Sequence, residues 1–247
     1  MIDLKADLHC HTTFSDGKGT PEQCIDRAGR IGLDVLAITD HRTAEGGLRY
    51  WHEQPSNGVV VIPGEEIRTD EGHILAYFVK RTIEDCTLEE AAAKVREQGG
   101  LLYATHLYHP TFRRHIWGES RQTFLDQELA LVDGIEARNG MTISRCNRDA
   151  VAYAQAHPGL GLIGGSDAHF AWDIGGAWTM IQSEGRSLDE IRSAMADHRT
   201  CALGPTRINR LLFRWVYYAA GFCRNLDREK RRRFHSARPH RRRRRLS

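Results

Sequence analysis

Several familiar signals are missing from this sequence of 247 residues. It has no GxGxxG motif placed as a phosphate loop and no GxxxxGK[ST] motif, so neither nucleotide-binding fold is indicated. No apolar run approaches the roughly 20 residues that a membrane-spanning helix needs. Its six cysteines show no CxxC pair or disulfide-like spacing, and no secretory signal precedes the first strand-like segment. We therefore expect a protein of a reducing compartment, the cytoplasm by default.

A strong charge of one sign is absent from the whole chain but not from its parts. The net charge is +3. From Arg224 onward, twelve Lys and Arg face two acidic residues, which gives this tail a charge of +10 and leaves −7 for the preceding body. A groove that follows a nucleic-acid backbone is basic. The acidic body therefore gives no support for such a groove.

Strand-like and helix-like segments alternate along the body. Short apolar runs such as DVLAITD and GVVVIPG predict buried strands, and HILAYFV follows closely enough to be a hairpin partner. Helices are predicted after the caps at Thr20 and Thr87, and over Glu119–Leu131. About seven such units favour a mostly parallel sheet with helical crossovers, closed as a TIM-like α/β barrel. We assign this barrel to residues 1–204, a short apolar C-terminal extension to 205–223 and a basic, disordered tail to 224–247.

Imidazoles and carboxylates follow nearly every predicted strand. In barrels of this kind the active site lies at the carboxyl ends of the strands, so these side chains are expected to converge there. Mixed imidazole and carboxylate ligands suit Zn, Mn or Fe better than Ca or Mg. The candidates are His9, His11, Asp16, Asp40, His41, Glu65, Glu66, His73, His106, Asp167 and His169.

The spacing within two of these groups is that of a strand. Alternate strand residues point the same way, so His9 and His11 can both face the barrel mouth while Cys10 points into the wall. The same spacing places Asp167 and His169 together. Asp40 is a candidate catalytic residue, and the alternative is that it orients His41, as metal-bound imidazoles usually require.

Six segments resemble, in order, the motifs of the PHP (polymerase and histidinol phosphatase) family: DLHCHTTFSDG, LAITDH, IPGEEI, GHILAY, ATHLYHP and GGSDAH. The resemblance runs from about Met1 to Met195. It implies a distorted (β/α)7 barrel with a trinuclear metal centre that hydrolyses phosphate esters. Glu66 matches the family motif better than its neighbour Glu65. Adjacent strand residues point to opposite sides, so Glu65 is expected to be structural rather than a ligand.

The resemblance implies three sets of metal ligands. The first metal would take His9, His11, Glu66 and Asp167. Glu66 would bridge to a second metal, which His73 and His106 complete. A third metal would take Asp16, His41 and His169. The family often has histidine where this sequence has Asp16.

The sequence thus predicts a metal-dependent phosphoric ester hydrolase with two or three divalent ions (Mn, Fe or Zn) and a metal-bridging hydroxide as nucleophile. His109 is the candidate donor of the leaving-group proton, and Arg42, Arg113 and Arg138 are candidates for binding the phosphate. The substrate is a small phosphorylated metabolite or a nucleotide, with a 5′-end-directed exonuclease on short RNA or DNA as the alternative. A non-catalytic metal-binding scaffold and a metal-dependent amidohydrolase are disfavoured by the complete ligand set and the ordered motifs.

The segment LLFRWVYYAAGF, Leu211 to Phe222, and the basic tail behind it form a separate feature. The segment is too short to span a membrane. Together they could bind an anionic membrane surface or act as an arm for nucleic acid or another polyanion. A docked terminal helix followed by a solvated tail is the third alternative.

Overall fold

A computed structural model describes residues 1–108 and 129–204 of the chain. Within these residues, nine strands form one nearly closed, barrel-shaped sheet in the order β7-β6-β5-β4-β3-β2-β1-β8-β9. The strands are β1 (Ile2–Asp7), β2 (Val35–Ile38), β3 (Val60–Thr69), β4 (Gly72–Tyr77), β5 (Leu101–Ala104), β6 (Gly134–Asn139), β7 (Gly161–Gly165), β8 (Trp178–Ser183) and β9 (Thr200–Leu203). The predicted barrel-like α/β fold is confirmed.

Seven of these strands run in one direction, while β4 and β8 run in the other. Each reversed strand lies between two others, so four of the eight strand pairings are antiparallel. The prediction of a mostly parallel sheet therefore holds for the strand directions but not for the pairings. The hairpin of β3 and β4 pairs Thr69 with Gly72. Its two-residue connection is too short for the crossover that a parallel pair requires. The predicted hairpin at HILAYFV is confirmed.

The barrel closes where β7 approaches β1. The backbone N–H of His11 donates to the carbonyl of Ala168 over 2.8 Å, and the hydroxyl of Ser166 donates to the carbonyl of His9 over 3.2 Å. The hydroxyl of Thr179 on β8 both donates to Gly164 O and accepts from Gly164 N, each over 2.8 Å. These bonds join β7, at one end of the strand order, to β8 and bring the segment after β7 against the segment after β1.

Helices surround the sheet at α1 (Pro21–Arg30), α2 (Glu45–Leu48), α3 (Leu88–Glu97), α4 (Ser144–Ala156) and α5 (Leu188–Ala196). A capping box begins α1 at Thr20 and α3 at Thr87, as their sequences predict. Inside the barrel, the hydroxyl of Tyr77 donates to Leu8 O over 2.8 Å and that of Tyr103 donates to Met195 O over 3.1 Å. Buried apolar side chains fill the floor beneath the polar rim.

Several predictions fall outside the described residues. These are nearly all of the helix at Glu119–Leu131, the side chains of His109 and Arg113, the extension at 205–223 and the tail at 224–247. The chain divides into two units, residues 1–206 and 207–247, and every described residue belongs to the first. The domain boundaries therefore stay predictions. Within the described ranges, no helix has the length and apolar character to cross a bilayer.

Candidate metal centre

The first histidine pair lies where β1 gives way to the loop after it. His9 and His11 are both buried, and their Nε2 atoms lie 3.2 Å apart. Cys10, between them, is buried in the wall beside Cys24 of α1, with Ile25 and Leu33 in the same cluster. The alternation expected of a strand therefore carries past the end of β1 and sends both imidazoles to the barrel mouth.

Glu66 on β3 lies at the centre of the candidate site. Its side chain is buried, and each carboxylate oxygen faces a different group of imidazoles. Five ring nitrogens lie within 3.3 Å of the carboxylate: His73 Nδ1 (3.0 Å) and His106 Nε2 (3.0 Å) from Oε1, and His11 Nε2 (3.1 Å), His9 Nε2 (3.2 Å) and His41 Nδ1 (3.3 Å) from Oε2. One carboxylate therefore joins an imidazole on β4 to imidazoles from the segments that follow β1, β2 and β5.

Asp167 also lies close to the first histidine pair. Its Oδ1 lies 3.2 Å from His11 Nε2 and 3.6 Å from His9 Nε2. The backbone of Asp167 has a φ of 52°, and that of His106 has a φ of 31°. Such values are uncommon for residues other than glycine and cluster at functional sites. Here they turn the backbone at two points where a polar side chain enters the cluster.

Asp16 forms the open side of the site. Its Oδ2 lies 3.2 Å from His169 Nε2, and its Oδ1 lies 3.9 Å from both His41 Nε2 and His11 Nδ1. The side chain of Asp16 is 51% exposed, whereas those of His9 and His11 are fully buried. A ligand from solvent would therefore reach the cluster past Asp16 and His41.

Three groups of these side chains place their ligand atoms within 4.8 Å of one another, close enough to hold a cation. They are His9, His11 and Asp167; His41, Glu66 and His73; and His11, Asp16, His41 and His169. These groups differ from the implied ligand sets mainly because His11 and His41 each belong to two of them. His106 belongs to none of the three groups but contacts Glu66. The nine predicted ligands therefore lie in one continuous cluster.

The chemistry of the donors fits transition-metal cations. Each group combines imidazole nitrogen with carboxylate oxygen, a mixture suited to Zn, Mn or Fe. His11 Nδ1 is buried and has no hydrogen-bond partner in the described part of the chain. Buried polar atoms rarely lack a partner, and a bound ion can serve as that partner. The cluster is therefore able to bind divalent metal.

Burial and the opposite charges of neighbouring imidazoles and carboxylates shift the pKa values in the cluster. Burial alone would raise the pKa of Glu66, but His9 and its other imidazole neighbours outweigh burial and hold that pKa well below its usual range. Burial lowers the pKa of His11, but hydrogen bonds to Asp167 and Glu66 raise it to about 9. Burial lowers the pKa of His41 to about 4. Without a cation, His11 therefore carries positive charge near neutral pH and His41 does not.

Asp40 faces the loop after β1. Its Oδ1 accepts hydrogen bonds from Thr12 N (2.7 Å) and Ser15 Oγ (2.6 Å), and its Oδ2 accepts one from Thr12 Oγ1 (2.6 Å). In the described residues, no hydrogen bond joins Asp40 to His41, so the alternative, that Asp40 orients His41, is not found. Asp40 instead fixes the loop that carries Asp16, and its catalytic role stays a prediction.

The described arginine candidates already have partners. Arg42, 68% exposed beside His41, has its Nε 3.3 Å from Asp85 Oδ1. Arg138 donates from Nη1 to Gly204 O over 3.4 Å. Phosphate binding by either residue stays a prediction. Glu65 points away from the cluster, as expected, and its Oε2 accepts a hydrogen bond from Ile83 N over 2.9 Å.

Sequence reasoning missed two buried polar residues of β6. Glu136 Oε1 lies 2.9 Å from His9 Nδ1, and the side-chain amide of Asn139 donates to Asp167 Oδ2 over 3.3 Å. The segment DGIEARN predicted only a strand. A carboxylate in the middle of a buried strand was the available signal, because such a group requires a partner.

Comparisons with known proteins agree with this arrangement. The PHP domain family matches residues 7–171, and a PHP-associated family matches residues 145–200. Two uncharacterized proteins of Methanocaldococcus jannaschii are similar: one is 38% identical over 119 residues (43% of this chain, 70% of the relative) and the other is 31% identical over 183 residues (71% and 69%). A 5′-3′ exoribonuclease of Haemophilus influenzae is 41% identical over 66 residues, which are 27% of this chain and 24% of that enzyme.

A solved structure shares the fold. It is a two-domain protein of Bacteroides vulgatus that contains a predicted PHP-like metal-dependent phosphoesterase, with a TM-score of 0.66 and 24% identity. The similarity covers 82% of this chain and 65% of that one. At this identity the likeness concerns the fold. The matched family covers most of the barrel and all of the clustered side chains, and this chain therefore belongs to the PHP domain family.

Proposed function

We propose that this chain is a metal-dependent phosphoesterase that hydrolyses a phosphate ester of a small metabolite or a nucleotide. The observation that carries the proposal is the position of Glu66, whose two carboxylate oxygens face separate imidazole groups within 3.3 Å. A carboxylate in this position is suited to bridge two cations. Membership of the PHP domain family supports the same chemistry, and the Bacteroides vulgatus protein that shares the fold contains a predicted PHP-like metal-dependent phosphoesterase.

The side chains of the cluster would hold two or three divalent cations of Mn, Fe or Zn. The nine residues proposed as ligands are His9, His11, Asp16, His41, Glu66, His73, His106, Asp167 and His169. When bound, such cations supply Lewis acidity, which lowers the pKa of a coordinated water and offsets negative charge on a phosphoryl group. The chain holds its ligands on strand ends, which fixes their spacing without the substrate.

The other residues would bring the substrate to this centre. Asp16 and His41 lie on the open side of the cluster, so the phosphate would enter there. Arg42 lies next to His41 and could exchange Asp85 for a phosphate oxygen, since arginine pairs with both groups through the same donors. Arg138, Arg113 and His109 keep their predicted roles in phosphate binding and leaving-group protonation.

Measuring metal content and hydrolysis together tests the proposal. The chain would be assayed with p-nitrophenyl phosphate and bis(p-nitrophenyl) phosphate in Mn²⁺, Fe²⁺ or Zn²⁺. Asp167→Asn is expected to lower kcat/KM by roughly 100-fold, because the loss of a residue that only hydrogen-bonds a metal ligand already costs up to that factor. Asp189→Asn is the control and should keep full activity, because the side chain of Asp189 at the start of α5 is 95% exposed. Undiminished hydrolysis in Asp167→Asn would contradict the assignment.

A 5′-directed exonuclease is the second candidate function. The similarity to a 5′-3′ exoribonuclease over 66 residues favours it, whereas the acidic body favours small substrates. Mononucleotides and 5′-phosphorylated oligonucleotides should be compared at equal concentration. Release of mononucleotides from the oligonucleotides would establish the second candidate. Cation binding without turnover of any phosphate ester would instead indicate a metal-holding scaffold.

The basic tail would give the enzyme a further partner, an anionic membrane surface or a nucleic acid. Its five consecutive arginines, 241–245, carry much of the +10 charge. A variant with these arginines replaced by glutamine should be compared with the full chain on anionic vesicles and on RNA. Equal binding by both proteins would leave the tail as a solvated terminus. The cytoplasmic location also stays a prediction.

A further inference from the structure

Glu136 lies directly behind the candidate metal centre. It is 1% exposed and belongs to β6, the strand between β5 and β7. Its Oε2 accepts three hydrogen bonds, from Thr105 Oγ1 (2.5 Å), Asn139 Nδ2 (2.9 Å) and His106 N (3.0 Å). These bonds leave its other oxygen, Oε1, aimed at His9 Nδ1 over 2.9 Å.

The orientation of Asn139 is fixed independently. Its Oδ1 accepts backbone hydrogen bonds from Met141 N (2.8 Å) and Thr142 N (3.1 Å). Its amide nitrogen therefore has to face the two carboxylates, Glu136 Oε2 and Asp167 Oδ2. Asn139 thus donates a hydrogen to each of two acids that would otherwise repel one another.

We propose that Glu136 and Asn139 are positioning residues that orient His9 and Asp167 for metal binding. Because Glu136 Oε1 accepts from Nδ1, the proton of a neutral His9 ring stays on Nδ1 and the lone pair of Nε2 faces the cluster. Because Asn139 holds Asp167 Oδ2, the other oxygen, Oδ1, points at His9 and His11. Metal-bound histidines commonly have such a carboxylate partner, and its loss costs roughly 10–100-fold in metal affinity.

The same carboxylate also restrains His106. Glu136 accepts the backbone N–H of His106, whose φ of 31° lies in the left-handed region. A residue other than glycine keeps this conformation only when its surroundings hold it there. Glu136 therefore contacts two candidate ligands directly, and reaches a third, Asp167, through Asn139.

Glu136→Gln gives a specific test because the three donors on Oε2 require an oxygen at that position. The amide nitrogen of the glutamine would then face His9 Nδ1, which would have to accept a hydrogen. The ring proton would move to Nε2, the atom that faces the cluster. The substitution keeps the side-chain shape and should weaken metal binding by removing one acceptor.

The experiment measures Zn²⁺ affinity by competition with a chromophoric chelator, on the full chain. Glu136→Gln should bind Zn²⁺ roughly 10–100-fold more weakly than the wild type. The zinc-loaded wild type should show a downfield Nδ1–H resonance of His9 in the NMR spectrum, and the variant should lack it. Glu65→Gln is the matched control, since Glu65 is equally buried but bonds to Ile83 N. It should keep both the affinity and the resonance.

The inference rests on the proposed metal centre, and the outcomes separate the two. A wild type that binds no Zn²⁺, Mn²⁺ or Fe²⁺ overturns the metal centre itself. A wild type that binds Zn²⁺ and a folded Glu136→Gln that binds it within twofold overturn only the positioning roles. If Glu136→Gln fails to fold, Asn139→Ala takes its place, since it frees Asp167 Oδ2 and should weaken Zn²⁺ binding. Unchanged affinity in Asn139→Ala would likewise overturn the proposal.

Discussion

Gly165 lies so close to His9 that a methyl group on Gly165 would overlap the Cβ of His9. The backbone has little freedom to move away, because Gly165 O accepts a hydrogen bond from Gly140 N over 2.9 Å and Gly165 pairs with Asn139 on β6. The missing side chain allows β7 to pass beside His9. This close approach is what delivers Asp167, two residues later, to the same cluster.

Gly165→Ala should therefore disturb the site as well as the fold. Overpacking of this kind costs about 1–3 kcal/mol of unfolding free energy, and displacement of His9 should weaken Zn²⁺ binding. Gly99→Ala is the control. Gly99 has a φ of +75° and open space around its Cα, so the substitution should cost roughly 1–2 kcal/mol but leave Zn²⁺ affinity unchanged. Wild-type affinity in Gly165→Ala would show that the contact is not needed for the site.

Asp40→Asn should loosen the loop between His11 and Asp16. Hydrogen bonds to a charged group contribute about 1.5–3 kcal/mol, and the amide would place a donor against Thr12 Oγ1, which itself accepts from Phe14 N. We expect lower stability in denaturant unfolding, and weaker Zn²⁺ binding by the group that contains Asp16.

Asp34→Asn is the matched control for Asp40→Asn. Asp34 accepts from Lys5 N over 3.0 Å and pairs with Arg186, away from the histidine cluster. It should lose stability while all Zn²⁺ sites keep their affinity. If both variants bind Zn²⁺ like the wild type, Asp40 has no part in holding the metal centre.

The local periodicity of the sequence predicts part of the site well. A strand repeats its side-chain direction every two residues, and His9 and His11 indeed meet the same oxygen of Glu66. The HILAYFV hairpin could be predicted because its turn is short. Such features depend on neighbours in the chain, so the sequence displays them directly.

Long-range partners are what the sequence conceals. The alternative considered for Asp40 was a bond to the adjacent His41, yet Asp40 bonds to Thr12, 28 residues away. Glu136 reaches His9 across 127 residues. Both pairings depend on which strands are neighbours in the closed sheet, and no local pattern encodes that order. The reversed direction of β8 has the same origin, since it follows from the antiparallel pairing of β8 with its neighbours β1 and β9.

Zn²⁺ affinity should rise with pH, because protons compete with the cation for the same nitrogens. The pKa of His11 is about 9 in the metal-free protein. Burial lowers the pKa of His9, but the nearby carboxylates outweigh burial and raise it above its usual value. Each proton displaced adds about one order of magnitude in affinity per pH unit. His41, with a pKa of about 4, is already neutral and should contribute nothing between pH 6 and 8.

The stability of the metal-free protein should show the opposite trend. A histidine whose folded pKa is raised, as that of His11 is from 6.5 to about 9, stabilises the fold fully below pH 6.5, and that stability is lost as pH rises through 9. Thermal unfolding in chelator should therefore show a falling contribution from His11 between pH 6.5 and 9, while Zn²⁺ stabilises the protein more strongly over the same range. His11→Gln should remove the contribution of His11 from both trends and leave that of His9. Zn²⁺ affinity that is independent of pH between 6 and 8 would contradict binding through imidazoles that must first lose a proton.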